Sequence, residues 1–448
     1  MKYFGTDGFR GRANEDLNVH HAFKIGRFLG YYYKEKLGRK ANIVIGKDTR
    51  RSSYMFESAL ASGITASGSD AYLLHVTSTP SVSYVIRTED FDCGIMISAS
   101  HNPYYDNGIK LLNGEGYKME VEVLEKLEEY IDGEENSIPL ATGNEIGRTS
   151  DFVFGRNRYI AYLSTLVRKS FKGYKVLLDV GHGSAFTIAK NVFDILGADV
   201  TVINDKPNGF NINKNAGSTH IEKLKVALEN DHYDVAFAYD GDADRCICLD
   251  EKGNIVDGDG MIYVLAKRLK DTDQLVDNKV VTTIMSNIGL FKALDKLDIG
   301  YVVTPVGDKY ISEEIMKNGY SIGAEQSGHL IISKYTNTGD GILTSLKILE
   351  TMIETKSPLS LLTKDYIIYP QLLKNVVVKD KNIVLNDEDI KAKMEEISNQ
   401  LGDTGRLLVR PSGTEPKIRV MVEAETDEIC EKYVQEVIDL IEEKGYTN

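Results

Sequence analysis

Residues 94–110 read GIMISASHNPYYDNGIK, and the fold turns on how that stretch is read. Gly94-Ile95-Met96-Ile97 is a short, β-branched apolar run, which reads as a buried strand. It breaks into Ser98-Ala99-Ser100-His101-Asn102-Pro103. A hydroxyl, an imidazole and an amide follow one another there, and the proline stops the strand. Asp106-Asn107-Gly108 is turn chemistry, and Lys110 closes the stretch with a cation. A buried strand that ends in an exposed Ser-His pair is where open α/β sheets place their chemistry.

Outward from that strand the chain repeats itself. Upstream, Ala41-Asn42-Ile43-Val44-Ile45 leads into Gly46-Lys47-Asp48-Thr49-Arg50. A helical segment to about Ser67, a strand at 71–74 and the run ending at Ser100 complete the unit. The same order returns from Lys175-Val176-Leu177-Leu178 through Asp179-Val180-Gly181-His182-Gly183, a helix to Leu196, a strand at 199–202 and a run ending in Asp240. It returns again from Lys279-Val280-Val281-Thr282-Thr283 through Met285-Ser286-Asn287, a helix to Leu297, a strand at 300–303 and a run ending in Glu325. Three strand–helix–strand–strand units predict three α/β domains with mixed or parallel sheets. Each unit puts a polar loop after its last strand, so Ser100, Asp240 and Glu325 are expected to face one another across a cleft. The tail differs: 405–410 and 417–422 read as a hairpin and 428–443 as an amphipathic helix, a small α+β domain. The predicted boundaries are 1–150, 151–252, 253–366 and 367–448.

Composition limits the function. The 448 residues exceed one core, and a net charge of −14 excludes a general basic surface for nucleic acid. An anion is still held wherever Arg, Lys and backbone N–H groups cluster locally. Cys93, Cys246, Cys248 and Cys430 form no CxxC pair and no disulfide framework; Cys246 and Cys248 alternate along a strand and pack there. The N-terminal residues lack the apolar core of a signal peptide and no run reaches membrane-spanning length, so a reduced cytoplasmic protein is expected, as monomer or homodimer.

Four further loops carry candidate chemistry. Asp240, Asp242 and Asp244 in DGDADR crowd three carboxylates at a strand end. They would raise one another's pKa, and hard oxygens at this density suit Mg²⁺. A solvated acidic turn accounts for the spacing equally well. An EF-hand does not, because Arg245 falls where that loop needs Gly and the flanks read as strands. In Gly323-Ala324-Glu325-Gln326-Ser327-Gly328-His329, Glu325 and Ser327 alternate, so an extended backbone would turn both toward one side, where they suit vicinal sugar hydroxyls. A polar turn with a packed His329 fits the same letters. Arg410-Pro411-Ser412-Gly413-Thr414-Glu415-Pro416-Lys417-Ile418-Arg419 offers two arginines and two hydroxyls around a tight turn, a phosphate cradle or a charged hairpin. Gly5-Thr6-Asp7-Gly8-Phe9-Arg10-Gly11 reads as a turn that could lend Arg10 to a site. A hydroxyl nucleophile, a metal loop, a sugar-reading carboxylate and an anion cradle together point to phosphoryl transfer on a phosphorylated sugar. A serine hydrolase fits less well: Ser100 and His101 are adjacent, so their side chains are expected to diverge, and there is no GxSxG elbow.

The chain resembles the α-D-phosphohexomutase family over nearly its whole length. The resemblance rests on FGTDGFRG (4–11), GKDTRRS (46–52), ISASHNPYYDNGIK (97–110), DGDADR (240–245), MSNIGL (285–290), VGDKY (306–310), AEQSGH (324–329), TGDGI (338–342) and RPSGTEPKIRV (410–420). FGTDG, MSNIGL and VGDKY resemble the glucosamine branch. The resemblance implies a heart-shaped, four-domain enzyme with a central cleft. It implies that Ser100 carries the transferable phosphate, and that Asp240, Asp242, Asp244 and that group hold Mg²⁺. Lys110 and Arg10 would assist proton transfer beside it, with His101 and Arg245 near the reacting phosphate. Glu325, Ser327 and His329, with Asp308 and Lys309 of VGDKY, would read the sugar, Asp308 being the candidate partner of a 2-ammonium group. Arg410, Ser412, Gly413, Thr414 and Arg419 would grip the phosphate that is not transferred. The implied reaction interconverts glucosamine 6-phosphate and glucosamine 1-phosphate through a hexosamine or glucose 1,6-bisphosphate, feeding UDP-N-acetylglucosamine and cell-wall synthesis. Two letters depart from the family's wording: Ala243 and Ala324 stand where glycine is usual, and the added methyl is tolerated at each if φ is negative there.

Overall fold

The computed structural model describes residues 1–412 and 416–447. The strand that opens the reading, Cys93–Ile97, is buried at every position, as a strand covered on both faces must be. It lies in a seven-stranded sheet of order Phe4–Gly5, Gly8–Arg12, Asp106–Asn113, Cys93–Ile97, Asn42–Lys47, Asp70–Val76, Thr149–Asp151. Asn42–Lys47 runs parallel to both Asp70–Val76 and Cys93–Ile97, and Asp106–Asn113 returns antiparallel.

The repeat is real at the level of topology. In the second sheet Lys175–Asp179 lies parallel to Asp199–Ile203 and Val235–Tyr239, and Cys246–Leu249 pairs antiparallel with the last. In the third, Lys279–Thr283 lies parallel to Gly300–Thr304 and Ile322–Ala324, and Leu330–Ile332 returns antiparallel. In each case the first strand is flanked by the second and third, and the loop between the third and fourth strands carries the polar motif. These loops hold Ser98–Tyr105, Asp240–Arg245 and Glu325–His329. All three follow the C-terminal end of a parallel strand, the position at which α/β sheets bind ligands.

Contacts divide the chain into two compact units, residues 1–285 with 300–363 and residues 286–299 with 364–448. The first unit contains the three sheets. The second has an antiparallel sheet of order Gln371–Val377, Lys417–Glu423, Arg406–Pro411, with helices Glu388–Leu401 and Asp427–Glu443 enclosing its own apolar core. The hairpin and final helix stand where the sequence puts them. The strand Gln371–Val377 and the helix Glu388–Leu401 carry no comparable signal. Helix Ile288–Lys296 belongs with this unit: Asn287 caps it and exchanges hydrogen bonds with the Tyr369 backbone, and the Ile288 N–H donates to the buried Glu423. Cys246 and Cys248 are buried in their strand, and all four cysteines are free. Among the described residues no helix is long and apolar enough to cross a membrane.

Candidate active site

Ser100, the third residue beyond its strand, has φ +52°, in the left-handed region that side chains rarely adopt. It is buried, with 1% of its surface exposed, rather than exposed as the sequence reading expects. Its Oγ donates to Asp240 Oδ2 at 2.5 Å, which joins the first and second repeat loops. The expectation that Ser100 and His101 diverge fails: His101 Nδ1 lies 3.3 Å from Ser100 Oγ, because the left-handed backbone turns the two side chains together. No hydrolase dyad results. Arg245 Nη1, which can only donate, lies 3.1 Å from the same Nδ1. The hydroxyl proton is directed at Asp240. Burial, then Arg245 and Arg10, hold His101 down at about 4, so it is neutral at pH 7.

Asp240, Asp242 and Asp244 are buried and place carboxylate oxygens within 4.8 Å of one another. Burial, then Asp244 and Asp242, push Asp240 well above the ordinary carboxyl range. Asp244 stays low: burial opposes its charge, but Lys110, His329 and Arg245 overcome that. Lys110 donates to Asp242 Oδ2 at 2.7 Å and Asp244 Oδ2 at 3.2 Å, and lies 3.3 Å from Asp7. Burial disfavours its charge, yet Asp242, Asp244 and Asp7 hold it well above the usual ammonium range. Asp242 Oδ1 and Asp244 Oδ1 are buried without a hydrogen-bond partner. Two orphaned hard oxygens beside a third carboxylate fit Mg²⁺ better than a solvated turn, where water would reach them.

The loop needs a special backbone. Ala243 has φ +55°, so the condition of a negative φ for its methyl is not met there. Its N–H donates to Asp240 O and its carbonyl accepts from Gly341, so the turn is held from both sides. Ala324 is ordinary strand. Gly328, at φ +92°, lets the third loop press on the second: a Cβ there would lie 2.1 Å from Cys246 O.

Glu325 and Ser327 do converge, at 3.4 Å, but through a hydrogen-bonded turn rather than an extended backbone. Glu325 Oε1 also accepts from the Gly307 N–H at 3.0 Å. His329 is buried; its Nε2 accepts from Gly339 N–H at 3.2 Å and lies 3.6 Å from Asp308. Asp308 is already engaged by Lys118 Nζ at 2.6 Å, and Lys118 also bonds Thr6 O and Asp7. Burial opposes the Asp308 charge, but Lys118 keeps it low. Lys309 turns along its helix to Glu313 at 3.7 Å. Arg10 pairs with Asp7. Asp7, Lys110, Lys118, Asp244, Asp308 and His329 line a cavity of about 520 Å³, within the range of small-ligand sites.

Sequence reasoning missed three of these participants. Asp7 lay inside a quoted motif but was passed over. Lys118 and Thr79, whose hydroxyl donates to Asp242 Oδ2 at 2.5 Å, carry no local signal. In the C-terminal unit, Arg410 and Arg419 stand directly opposite on neighbouring strands. Burial and then Arg419 push Arg410 below the usual guanidinium range. Ser412 is buried, and Lys381, another residue missed, donates to its carbonyl at 2.7 Å. Gly413 and Thr414 lie outside the described residues.

Sequence models of the phosphoglucomutase/phosphomannomutase family match most of the chain: alpha/beta/alpha domain I over residues 1–137, domain II over 157–253, domain III over 257–368 and the C-terminal domain over 373–440. The chain belongs to this family, the α-D-phosphohexomutases, and is an isomerase of the mutase kind. The phosphoglucosamine mutase of Lachnospira eligens is 61% identical to it over 446 residues, 99% of each chain. That of Lachnoclostridium phytofermentans is 57% identical over 445 residues, again 99% of each, and that of Bacillus subtilis 44% identical over 441 residues, 98% of each. A phosphoglucomutase/phosphomannomutase family protein from Burkholderia thailandensis shares the fold at TM-score 0.82 and 20% identity, covering 100% of this chain and 98% of its own. So does Aspergillus fumigatus N-acetylphosphoglucosamine mutase, solved with GlcNAc-6P and magnesium, at TM-score 0.72 and 17% identity over 98% of this chain and 95% of its own.

Proposed function

We propose that the chain interconverts glucosamine 6-phosphate and glucosamine 1-phosphate, with Ser100 as the phosphate carrier and a 1,6-bisphosphate as the turning point. The observation that carries the carrier role is the buried Ser100 Oγ, set against Asp240 at 2.5 Å within the same cluster as Lys110. The amino-sugar preference rests on full-length relatives at 44–61% identity that bear that name.

Asp240, Asp242 and Asp244, with the Ser100 oxygen, would hold Mg²⁺, which neutralises charge developing on the transferred phosphoryl group. In the forward half the Oγ–P bond of phosphoserine breaks and a bond forms from phosphorus to the sugar's free hydroxyl oxygen. Lys110, held charged by Asp242, Asp244 and Asp7, hands a proton to the departing Ser100 oxygen; the proton of the sugar hydroxyl restores it. In the return half Ser100 attacks the other phosphate of the bisphosphate, and the roles reverse. Arg245 and Arg10 supply fixed positive charge, and His101 stays neutral beside Ser100. Glu325 and Ser327 accept and donate to the sugar hydroxyls, with His329, Asp308 and Lys309 completing the reading of the ring. The pair Arg410 and Arg419, with Ser412, Gly413 and Thr414, grips the phosphate left in place. A metabolic place before UDP-N-acetylglucosamine follows from the product, a sugar 1-phosphate ready for nucleotidyl transfer.

The test is a comparison of initial rates on glucosamine, glucose and mannose 6-phosphates with Mg²⁺ and a sugar bisphosphate primer. The reading expects kcat/KM at least about tenfold higher for the amino sugar, the equivalent of one good polar discrimination of 1.4 kcal/mol. Equal or better rates on glucose or mannose 6-phosphate would assign the chain to the gluco- or mannomutase activities of its family.

A further inference from the structure

Ser100 stands in the left-handed region, a strained placement that persists only where the surroundings over-determine it. Two buried side chains from different repeats do this. Arg50, fully buried, donates from Nη2 to Ser100 O at 2.8 Å and Asn102 O at 2.9 Å. Asn213, 5% exposed, donates from Nδ2 to the same two oxygens, at 2.8 and 3.2 Å. Arg50 is aimed by Asp48, which accepts from its Nε at 2.8 Å. The same Asp48 takes the Ser98 hydroxyl at 2.7 Å, and Ser98 Oγ accepts the Ser100 N–H at 2.9 Å. Both ends of the Ser100 peptide are thus fixed by one anchored network.

Asn213 comes from the segment 208–214 of the second repeat, Asn-Gly-Phe-Asn-Ile-Asn-Lys, which no motif reading singled out. It docks on the first repeat through the Arg51 N–H to Gly209 O bond at 3.0 Å. It also backs the metal loop: a Cβ on Gly241 would lie 2.4 Å from Ser100 O and 3.2 Å from Asn213 Nδ2. The carbonyl of the nucleophile, the amide of Asn213 and the backbone next to Asp240 therefore meet at one point.

We propose that Asn213, together with Arg50, is a positioning residue that clamps Ser100 O and Asn102 O, holding the Ser100 hydroxyl on Asp240 across the junction of the first two repeats. The inference rests on Ser100 being the phosphate carrier. The Asn213 amide donates to two backbone carbonyls and to none of the carboxylates of the acidic loop, so its loss is expected to affect the transfer step and not substrate affinity. Displacement of a reacting group by about 1 Å costs up to ~100-fold in rate.

The experiment uses the full-length protein, with Asn213→Asp and Asn213→Leu beside wild type and Ser100→Ala. Asn213→Asp keeps the shape but sets a carboxylate against two carbonyl oxygens; Asn213→Leu keeps the volume. Phosphoryl uptake from glucose 1,6-bisphosphate is followed by time-resolved intact mass, with kcat and KM for glucosamine 6-phosphate and the melting midpoint in parallel. The expected result is uptake and kcat at least about tenfold slower in both variants, KM within about threefold of wild type, and folded protein at the assay temperature. Unchanged uptake in a folded variant overturns the proposal. So does a loss confined to KM, or two variants that do not fold, which would make the amide a folding contact only. Ser100→Ala separates the two readings: uptake persisting there refutes the carrier role itself, whereas uptake lost there but normal in the Asn213 variants refutes the clamp alone.

Discussion

Replacing Asp240 and Asp242 by Asn, one at a time, separates two tasks that the acidic loop performs. Asp240 takes its hydrogen bonds from neutral groups, Ser100 Oγ and the Arg245 backbone N–H. Burial and the two neighbouring aspartates raise its pKa, so its ionised form is the costly one before any metal binds. An amide of the same shape removes that cost, and Asp240→Asn is expected to leave metal-free stability unchanged or raise it by about 1 kcal/mol. Asp242 instead accepts the Lys110 ammonium at 2.7 Å and the Thr79 hydroxyl at 2.5 Å, out of water. Breaking a buried ion pair costs roughly 3–5 kcal/mol, and Lys110 retains Asp244 and Asp7, so about 3 kcal/mol is expected for Asp242→Asn. For a unit as large as residues 1–285 with 300–363, at about 1.4 °C per kcal/mol, the apparent melting midpoint in EDTA falls by about 4 °C for Asp242→Asn and does not fall for Asp240→Asn. Both variants lose the Mg²⁺-dependent rise of the wild type, which is about 2.7 kcal/mol at one hundred times Kd. Calorimetry with and without Mg²⁺ reads both effects. An Asp240→Asn protein that melts as low as Asp242→Asn refutes the electrostatic assignment, and a full Mg²⁺ shift in either refutes the metal site.

Three other outcomes follow from the geometry. Asp340, buried with Tyr159 and capping its helix, is raised to about 6 by burial. The folded state therefore binds more protons than the unfolded between pH 3.8 and 6, and stability falls as pH rises through that window. Asp340→Asn should gain up to about 3 kcal/mol over wild type at pH 7.5 and nothing below pH 4, read from urea midpoints; a pH-independent difference contradicts this. Ala243→Gly removes left-handed strain of about 1 kcal/mol, but frees the unfolded chain by about 0.5–1 kcal/mol and loses a buried methyl, so denaturation should place it within about 1 kcal/mol of wild type with kcat intact. Arg419→Met removes the repulsion opposite Arg410 and half of the proposed anion cradle; KM for the sugar phosphate should rise at least about tenfold with no loss of melting midpoint, and an unchanged KM would disprove the cradle.

The topology was legible because its signal is local and repeated. Three apolar strands, each ending in a polar loop, state their own equivalence, and the sheets bear this out strand by strand. The candidate serine, the cluster of three buried carboxylates and the opposed arginines were legible because each lies in a dense chemical cluster a few residues long. Backbone conformation was not. Nothing in the letters says that Ser100 and Ala243 take positive φ, since that choice is imposed by distant partners such as Asn213 and Gly341. Lys118 and Thr79 stayed hidden for the same reason: each is one ordinary residue whose partner lies 190 or 163 positions away. The motif suggests an amino group as the partner of Asp308; in the fold that partner is Lys118.

The central claim is that Ser100 carries the phosphate, and intact mass tests it directly. Wild type and Ser100→Ala are incubated with glucose 1,6-bisphosphate and Mg²⁺, then assayed for glucosamine 6-phosphate turnover. The account predicts one phosphoryl group on the wild type, none on Ser100→Ala, and turnover lost with it. The same mass gain on Ser100→Ala, or its full turnover, would contradict the account.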